Sequence, residues 1–136
     1  MPLALLDTDI LSEVLKQKNP DVVSKATDYL AQYQQFAISA MTRYEIVRGL
    51  KARHATTQLQ KFHTFCQHSV VFPISDDILS EAADLWVAGH TGGHPHRDAD
   101  LIIAATALRT GRVLVTGNTD HFSWIPGLSV EDWRKP

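Results

Sequence analysis

Three acidic residues that lie far apart in the sequence could act together in metal-dependent chemistry. Asp7 directly follows the apolar run at residues 3–6, which is too short for a helix but suits a buried strand. Because open α/β sheets bind ligands outside the carboxyl ends of their strands, Asp7 stands where such a fold places its site. Glu45 follows a second apolar run, and Asp100 begins the most apolar helical segment. We predict that Asp7, Glu45 and Asp100 converge.

Asp7 and Glu45 also have structural explanations. Asp7 could cap the helix that follows it, but Thr8 or Asp9 could fill that position, so we favour a functional role for Asp7. Glu45 closes an S/T-x-x-E capping box that begins at Thr42, in which its side chain would bond to the Thr42 backbone N–H. The same position lies in the first turn of a helix after a strand, so the pattern leaves both explanations of Glu45 open.

Asp98 and Asp100 both precede the apolar helix, and only one of them is needed as its cap. We assign the cap to Asp98, which places Asp100 directly against Leu101. A carboxylate beside so much apolar surface needs a partner. Arg97 or Arg109 could supply it, and so could a cation that Asp100 shares with the other acids.

A shared divalent cation would explain all three acids. Carboxylates about 5 Å apart repel each other by roughly 3 kcal/mol per pair at an effective dielectric near ~20. Mg²⁺ or Mn²⁺ suits such a cluster, because these hard ions take carboxylate oxygens and keep positions for water and phosphate. A bound ion of this kind activates water and stabilises charge on a phosphoryl oxygen. The reaction class that follows is metal-dependent phosphodiester hydrolysis.

Length and composition indicate one domain of residues 1–136. A domain of about this size buries roughly two-thirds of its unfolded surface and needs no disulfide. The single cysteine, Cys66, lies among Phe62, Phe65 and Val70, which predicts a packed thiol in a reducing compartment. No basic N-terminal region or run of roughly 20 apolar residues is present. We therefore expect a cytoplasmic protein without a targeting or membrane segment.

Local charge is more informative than the net charge of −2. Between residues 43 and 53 the only acid is Glu45, and the basic residues are Arg43, Arg48, Lys51 and Arg53. With a metal ion on Glu45 this segment would be basic enough to hold a phosphate backbone. The alternative is a solvated helical face, which is favoured for any one of these residues taken alone.

Apolar runs alternate with helical patterns along the whole chain. Helices are predicted at about residues 8–16, 21–33, 42–54, 56–67, 76–87 and 101–109, and strands at 3–6, 36–40, 70–74, 112–116 and 128–130. Residues 89–97 are predicted to form a loop. Pro73 favours an edge position or a strand end, and Gly111 a helix C-terminus. This order predicts a three-layer α/β/α sandwich with a mostly parallel sheet and right-handed crossovers.

The order and spacing of these motifs resemble the PIN-domain ribonucleases, and among them the VapC-type toxins of bacterial toxin–antitoxin pairs. The matching segments are residues 5–12, 39–50, 100–108, 115–122, 125–128 and 131–133. The resemblance implies Asp7, Glu45 and Asp100 as the acidic metal-binding set, with Thr8, Ser39 and Thr116 as polar neighbours. It also implies single-stranded or loop RNA as substrate, a homodimer, and a VapB-type antitoxin that blocks the site.

The sequence departs from this family at its fourth acid. Many relatives place that acid directly before an aromatic residue, where this chain has His121, and Asp120 lies one position earlier. In a helix, a shift of one residue turns a side chain by about 100°. We keep Asp120 as a fourth catalytic candidate, which would reach the metal through water. Asp9 is often Asn in relatives, which favours a supporting role.

Two other function classes compete with the nuclease. Asp7 and Asp9 after a strand also resemble the D-x-D start of haloacid-dehalogenase-type phosphatases, but that family has Thr or Val where this chain has Leu11. A non-catalytic module that binds RNA or protein would use the acids only as caps. Three histidines at 90, 94 and 96 invite a zinc assignment, although their spacing matches no closed site and a solvated loop is favoured.

Overall fold

The computed structural model describes residues 1–136, which form five strands and seven helices. The strands are β1 (Ala4–Leu6), β2 (Ala37–Ser39), β3 (Val70–Phe72), β4 (Val113–Val115) and β5 (Val130–Glu131). The helices are α1 (Thr8–Lys16), α2 (Pro20–Tyr33), α3 (Ala40–Ala52), α4 (Thr56–Gln67), α5 (Asp76–Gly92), α6 (Asp98–Thr110) and α7 (Thr119–Phe122). All five predicted strands and all six predicted helices are present, and α7 is a short addition.

Every strand pairing is parallel, as the alternating pattern predicted. Hydrogen-bonded pairs join β1 to β4 and β4 to β5, and a separate pair joins β2 to β3. The two groups meet where β2 lies beside β1. β3 therefore lies at an edge, and Pro73 directly follows its last residue. The carboxyl ends of β1 and β4 therefore lie on the same side of the sheet, and the contact between Thr8 and Thr42 brings the residues that follow β2 to the same place.

The central strand β1 is buried on both faces, which explains its unbroken apolar sequence. Its side chains alternate: Ala4 and Leu6 join a core with α1, α2 and α4, whereas Leu5 joins a second core with α5 and α6. Trp133, near the C-terminus, is buried in the first core against Tyr29. Helices thus cover both faces of the sheet, and the predicted three-layer architecture is confirmed.

The predicted capping box at the start of α3 is wrong. The helix begins two residues earlier, at Ala40, because the Ser39 hydroxyl accepts a hydrogen bond from the Met41 backbone N–H at 3.0 Å and caps it. Thr42 is buried inside the helix, and Glu45 lies in its second turn rather than its first. The Glu45 carboxylate is therefore free of any capping role.

Helix α5 continues through part of the segment that we predicted to be a loop, and ends at Gly92. Gly89 is buried inside the helix, where an added Cβ would lie 2.9 Å from His96 Cβ and 3.0 Å from Trp124 Cη2. The glycine that suggested a break instead permits close packing. Asp98 is the first residue of α6, after Arg97 as N-cap, whereas Gly111 ends this helix in the left-handed conformation as predicted. No helix is both long and apolar enough to cross a membrane.

Candidate active site

Asp7 lies at the carboxyl end of β1, with only 5% of its surface exposed. Its Oδ2 accepts a hydrogen bond from the Thr116 hydroxyl at 2.7 Å, and its Oδ1 accepts one from the Thr8 backbone N–H at 2.8 Å. Thr116 directly follows β4, so two neighbouring strands supply the acid and its partner. Asp7 does cap α1, but its second oxygen is held across the sheet by Thr116.

Burial raises the pKa of Asp7 from 3.8 to about 6. The negative charges of Asp9 and Asp100 raise it further, and the hydrogen bonds from Thr116 and Thr8 oppose the increase. An acid whose charge is this unfavourable is common at functional sites. A cation beside it would favour the ionised form.

Asp100 lies in the first turn of α6 and has a buried carboxylate oxygen, Oδ2, without a hydrogen-bond partner. The His121 Nδ1 atom is 3.3 Å away, but the pair does not have hydrogen-bond geometry. Neither arginine that we considered as a partner forms an ion pair with Asp100, and Arg109 instead pairs with Asp77 at 3.4 Å. The unpaired oxygen is one that a bound cation would satisfy.

Thr8 connects Glu45 to Asp7. The Thr8 hydroxyl donates to Glu45 Oε1 at 2.8 Å, while its backbone N–H bonds to Asp7. Thr42 Oγ1 lies 3.1 Å from the same hydroxyl, and Arg48 Nη2 lies 3.9 Å from Glu45 Oε2. Thr8 thus holds Asp7 and Glu45 beside each other, and Arg48 lies on the exposed side of Glu45.

The three acids are neighbours without forming a closed metal site. Asp7 and Asp100 interact electrostatically, and Glu45 joins Asp7 through Thr8, but no three His, Cys, Asp or Glu side chains could by themselves hold a metal ion. Mg²⁺ is usually held by one or two carboxylates and completes its shell with water and substrate phosphate. The destabilised Asp7 charge and the unpaired Asp100 oxygen fit such an open site.

Asp9 supports the loop after β4. Its carboxylate accepts hydrogen bonds from the backbone N–H groups of Ile10 at 2.8 Å and Gly117 at 2.9 Å. Arg134 donates to the Gly117 carbonyl at 2.9 Å. Our sequence reasoning missed Gly117 and Arg134; a glycine directly after a strand end was the only available signal. Because Asp9 is occupied with backbone groups, it is poorly placed as the proton donor of a phosphatase.

The other residues that the sequence suggested, Ser39, Arg43 and Asp120, have different surroundings in the structure. Ser39 caps α3 from a fully buried position, and Arg43 lies near Cys66. Asp120 is exposed and forms no hydrogen bond or ion pair, whereas His121 approaches Asp100. Since residues 119–122 are helical, the expected rotation between adjacent side chains accounts for this difference.

Two of the three histidines near the end of α5 stack on tryptophans, and the three form no zinc site. The rings of His90 and Trp86 are 4.8 Å apart, and those of His94 and Trp124 are 5.0 Å apart. His96 contacts the first pair edge-on. No metal-binding group of three is formed here either.

A family model described as PIN domain matches residues 4–127, so the chain belongs to the PIN domain family. Within it, the chain is similar to VapC proteins. It is 27% identical over 132 residues to Ribonuclease VapC2 of Rickettsia felis, covering 96% of this chain and 98% of that protein. It is 28% identical over 138 residues to the tRNA(fMet)-specific endonuclease VapC of Shigella flexneri, covering 95% and 96%. The solved structure of DNA-bound VapBC from Salmonella typhimurium has a TM-score of 0.84 and 25% identity, covering 98% of this chain and 99% of that chain.

Proposed function

We propose that this protein is a metal-dependent endoribonuclease and the toxin of a VapBC-type pair, active in the cytoplasm. The observation that carries the proposal is the pairing of Asp7, whose buried charge is unfavourable, with Asp100, which has an unpaired buried oxygen. Both lie at the edge of the sheet where a PIN domain would hold its ion. Similarity to VapC ribonucleases over nearly the whole chain supports the reaction class.

Asp7 and Asp100 would hold Mg²⁺ or Mn²⁺, with Glu45 beside them. Such an ion, when bound, lowers the pKa of water and stabilises negative charge on a phosphoryl oxygen. The chain's own contribution is positioning: Thr116 and Thr8 fix both oxygens of Asp7, and the Thr8 hydroxyl fixes Glu45. Asp120, being exposed, would act only through water.

The exposed side of α3 would hold the RNA backbone. Arg48 lies next to Glu45 and is stacked on Tyr44, with its guanidinium 5.2 Å from the ring centroid. An arginine beside an aromatic ring can contact a phosphate while the ring stacks on an unpaired base. We therefore propose single-stranded or loop RNA as the substrate.

Cleavage of total RNA by the purified protein tests the proposal. We expect cleavage with Mg²⁺ or Mn²⁺, none with EDTA, and losses of at least about a hundredfold in Asp7→Asn and Asp100→Asn, since each removes charge at the reacting centre. Asp98→Asn is the matched control, because this exposed acid lies on the same helix turn and should retain activity. Glu45→Gln is interpretable as well, because Glu45 caps no helix.

The competing functions give different results in the same assay. A haloacid-dehalogenase-type phosphatase would release phosphate from small phosphomonoesters and leave RNA intact. A non-catalytic module would show no difference between wild type, Asp7→Asn and Asp98→Asn. Full RNA cleavage by Asp7→Asn, with contaminating nuclease excluded by a mock purification, would refute the proposed site.

A groove of about 470 Å³ between α1, α3 and α4 opens beside Glu45 and suits a VapB-type segment. Its lining combines apolar and basic side chains, including Leu15, Ile46, Phe62, Lys16, Arg53 and Lys61. We propose that an antitoxin segment with apolar and acidic residues occupies it and blocks access to the acids. Co-expression with the product of a neighbouring short reading frame tests this, and Lys16→Glu with Lys61→Glu should abolish co-purification.

The exposed face of α5 supports the proposed homodimer. Leu79 and Trp86 are 45% and 40% exposed, and they border a shallow apolar groove that reaches Leu101. Apolar side chains this concentrated commonly mark an interface. Sedimentation analysis should show a dimer for the wild type and a monomer for Leu79→Glu, which places a charge in this groove.

A further inference from the structure

The peptide unit between Gly117 and Asn118, in the loop after β4, is held by hydrogen bonds at both of its polar groups. Its carbonyl, that of Gly117, accepts a hydrogen bond from Arg134 Nη2 at 2.9 Å. Its N–H, that of Asn118, donates to Thr116 Oγ1 at 3.0 Å. Because a trans peptide is planar, its carbonyl and its N–H point in opposite directions, and a contact that fixes one also fixes the other. Arg134 therefore sets the direction of the Asn118 N–H.

The direction of this N–H decides where the Thr116 hydroxyl sends its hydrogen. A hydroxyl has one hydrogen to donate. Thr116 Oγ1 accepts from the Asn118 N–H and donates to Asp7 Oδ2 at 2.7 Å. If the peptide turned over, the Gly117 carbonyl would face Thr116 and would compete with Asp7 for that hydrogen. Asp7 would then lose the contact that holds its second oxygen.

Arg134 is itself oriented before it meets the loop. The Asp132 side chain is only 5% exposed, and it accepts hydrogen bonds from the Arg134 backbone N–H at 2.9 Å, from Nε at 3.2 Å and from Nη2 at 3.1 Å. Between these two residues, Trp133 is buried in the core. Two-pronged contacts between a guanidinium and a carboxylate are strong and specific in their geometry. The guanidinium is thus held in a fixed place by the buried end of the chain.

The loop has no room for any residue other than glycine where the guanidinium approaches it. A Cβ added to Gly117 would overlap Arg134 Cζ and would lie 2.6 Å from Asp9 Oδ2. The Gly117 N–H also donates to that Asp9 oxygen at 2.9 Å. The absence of a side chain at residue 117 is therefore what lets Arg134 reach the carbonyl.

We propose that Arg134 is a positioning residue for Asp7, because it holds the peptide between Gly117 and Asn118 in the orientation that leaves the Thr116 hydroxyl free to donate to Asp7. This inference rests on the proposed function, since Asp7 belongs to the proposed site. Arg134 acts through the loop and not on the RNA, so its loss should lower kcat and leave KM unchanged.

Amide hydrogen exchange of the purified protein, without RNA or metal, is the first test. The Asn118 N–H should exchange faster by about tenfold or more in Arg134→Ala than in the wild type, the factor expected when a hydrogen bond to a charged group is lost. The Thr116 N–H donates to the Glu131 carbonyl at 2.9 Å, within the sheet, and its exchange should not change. Comparison of these two amides separates a local effect on the loop from a loss of global stability.

Arg109→Ala is the matched control. The Arg109 side chain is 46% exposed and pairs with Asp77, whereas that of Arg134 is 45% exposed, so the two changes remove equally accessible ion-paired arginines. Exchange in Arg109→Ala should match the wild type at both amides. Unchanged exchange at Asn118 in Arg134→Ala overturns the inference, and so does an equal acceleration at Asn118 and Thr116.

Kinetics of RNA cleavage are the second test. In Arg134→Ala, kcat should fall by about tenfold with KM unchanged, since loss of a residue that orients a site acid has an effect of this size. Guanidinium ion at millimolar concentrations, far below those that unfold proteins, should restore part of the lost kcat, whereas ammonium should not, because only guanidinium reproduces the two-pronged contact. A raised KM with unchanged kcat would show that Arg134 contacts RNA instead, and would overturn the inference.

The two proposals fail in different assays. Faster exchange at Asn118 alone, in a protein that cuts no RNA, would refute the nuclease and leave the effect of Arg134 on the loop standing. RNA cleavage with the same exchange and the same kcat in Arg134→Ala and the wild type would refute the positioning role and leave the nuclease standing.

Discussion

Replacing Asp7 with Asn should stabilise the metal-free protein at neutral pH. Burial raises the pKa of Asp7 from 3.8 to about 6, so ionising this carboxyl is harder in the folded state than in the unfolded one. The difference between these two pKa values corresponds to about 3 kcal/mol. Asn has the same shape and no charge, and its amide oxygen can still accept a hydrogen bond from the Thr8 N–H.

The direction of the pH dependence follows from the two pKa values. The unfolded chain releases the Asp7 proton near pH 3.8, whereas the folded protein keeps it until about pH 6. The stability due to the protonated carboxyl is therefore fully present below pH 3.8 and lost as the pH rises through about 6. Asp7→Asn should match the wild type near pH 4 and exceed it by up to about 3 kcal/mol above pH 7.

Urea unfolding in EDTA, at one-unit steps from pH 4 to pH 8, measures this difference. The slope of the free energy against urea should be the same in both proteins, so that the midpoints can be compared directly. Asp98→Asn, which removes an exposed acid from the first turn of α6, should not be more stable than the wild type, because a negative charge there favours the helix. An Asp7→Asn protein that is no more stable than the wild type at pH 8 would show that burial does not destabilise the Asp7 charge.

Two further predictions concern the link between acids and the packing of α5. Thr8→Val removes the hydrogen bond to Glu45 but keeps the backbone bond to Asp7, so RNA cleavage should fall by about tenfold or more. Thr8→Ser keeps the hydroxyl and should retain activity. Equal activity of Thr8→Val and the wild type would contradict this. Gly89→Ala should lower the unfolding free energy by about 1–3 kcal/mol, because the new Cβ meets His96 and Trp124. In Gly49→Ala the new Cβ would be 3.9 Å from its nearest neighbour, so this change should instead raise the unfolding free energy by up to about 1 kcal/mol. Thermal and urea unfolding measure both variants. An equal effect of the two changes would refute the packing argument.

The layer architecture could be predicted because the apolar pattern reports burial directly. β1 is apolar at every position since both of its faces are covered, and α5 and α6 show the helical spacing of buried residues. Helix limits were less predictable. At α3, two cap signals lie three residues apart, and Ser39 prevails over Thr42 because the strand ends there.

The partners of the acids were harder to predict than the acids themselves. Thr8 beside Glu45 and His121 beside Asp100 are contacts between elements that lie far apart in the sequence. Local spacing describes which residues share a helix face, but it does not describe how α7 approaches α6. Arg97 and Arg109 were possible partners of Asp100 because they are close to it in sequence, but Arg109 forms its ion pair with Asp77.

The last residues of this chain belong to its architecture. Trp133 packs in the core beside Tyr29. The neighbouring Arg134 donates a hydrogen bond to the Gly117 carbonyl, and the Gly117 N–H donates one to Asp9. Cleavage of the chain after residue 132 would remove both the buried ring of Trp133 and the hydrogen bond from Arg134 to the loop at Gly117. Proteolysis there should destabilise the fold although Asp7, Glu45 and Asp100 stay intact. An affinity tag is therefore better joined through a spacer after Pro136.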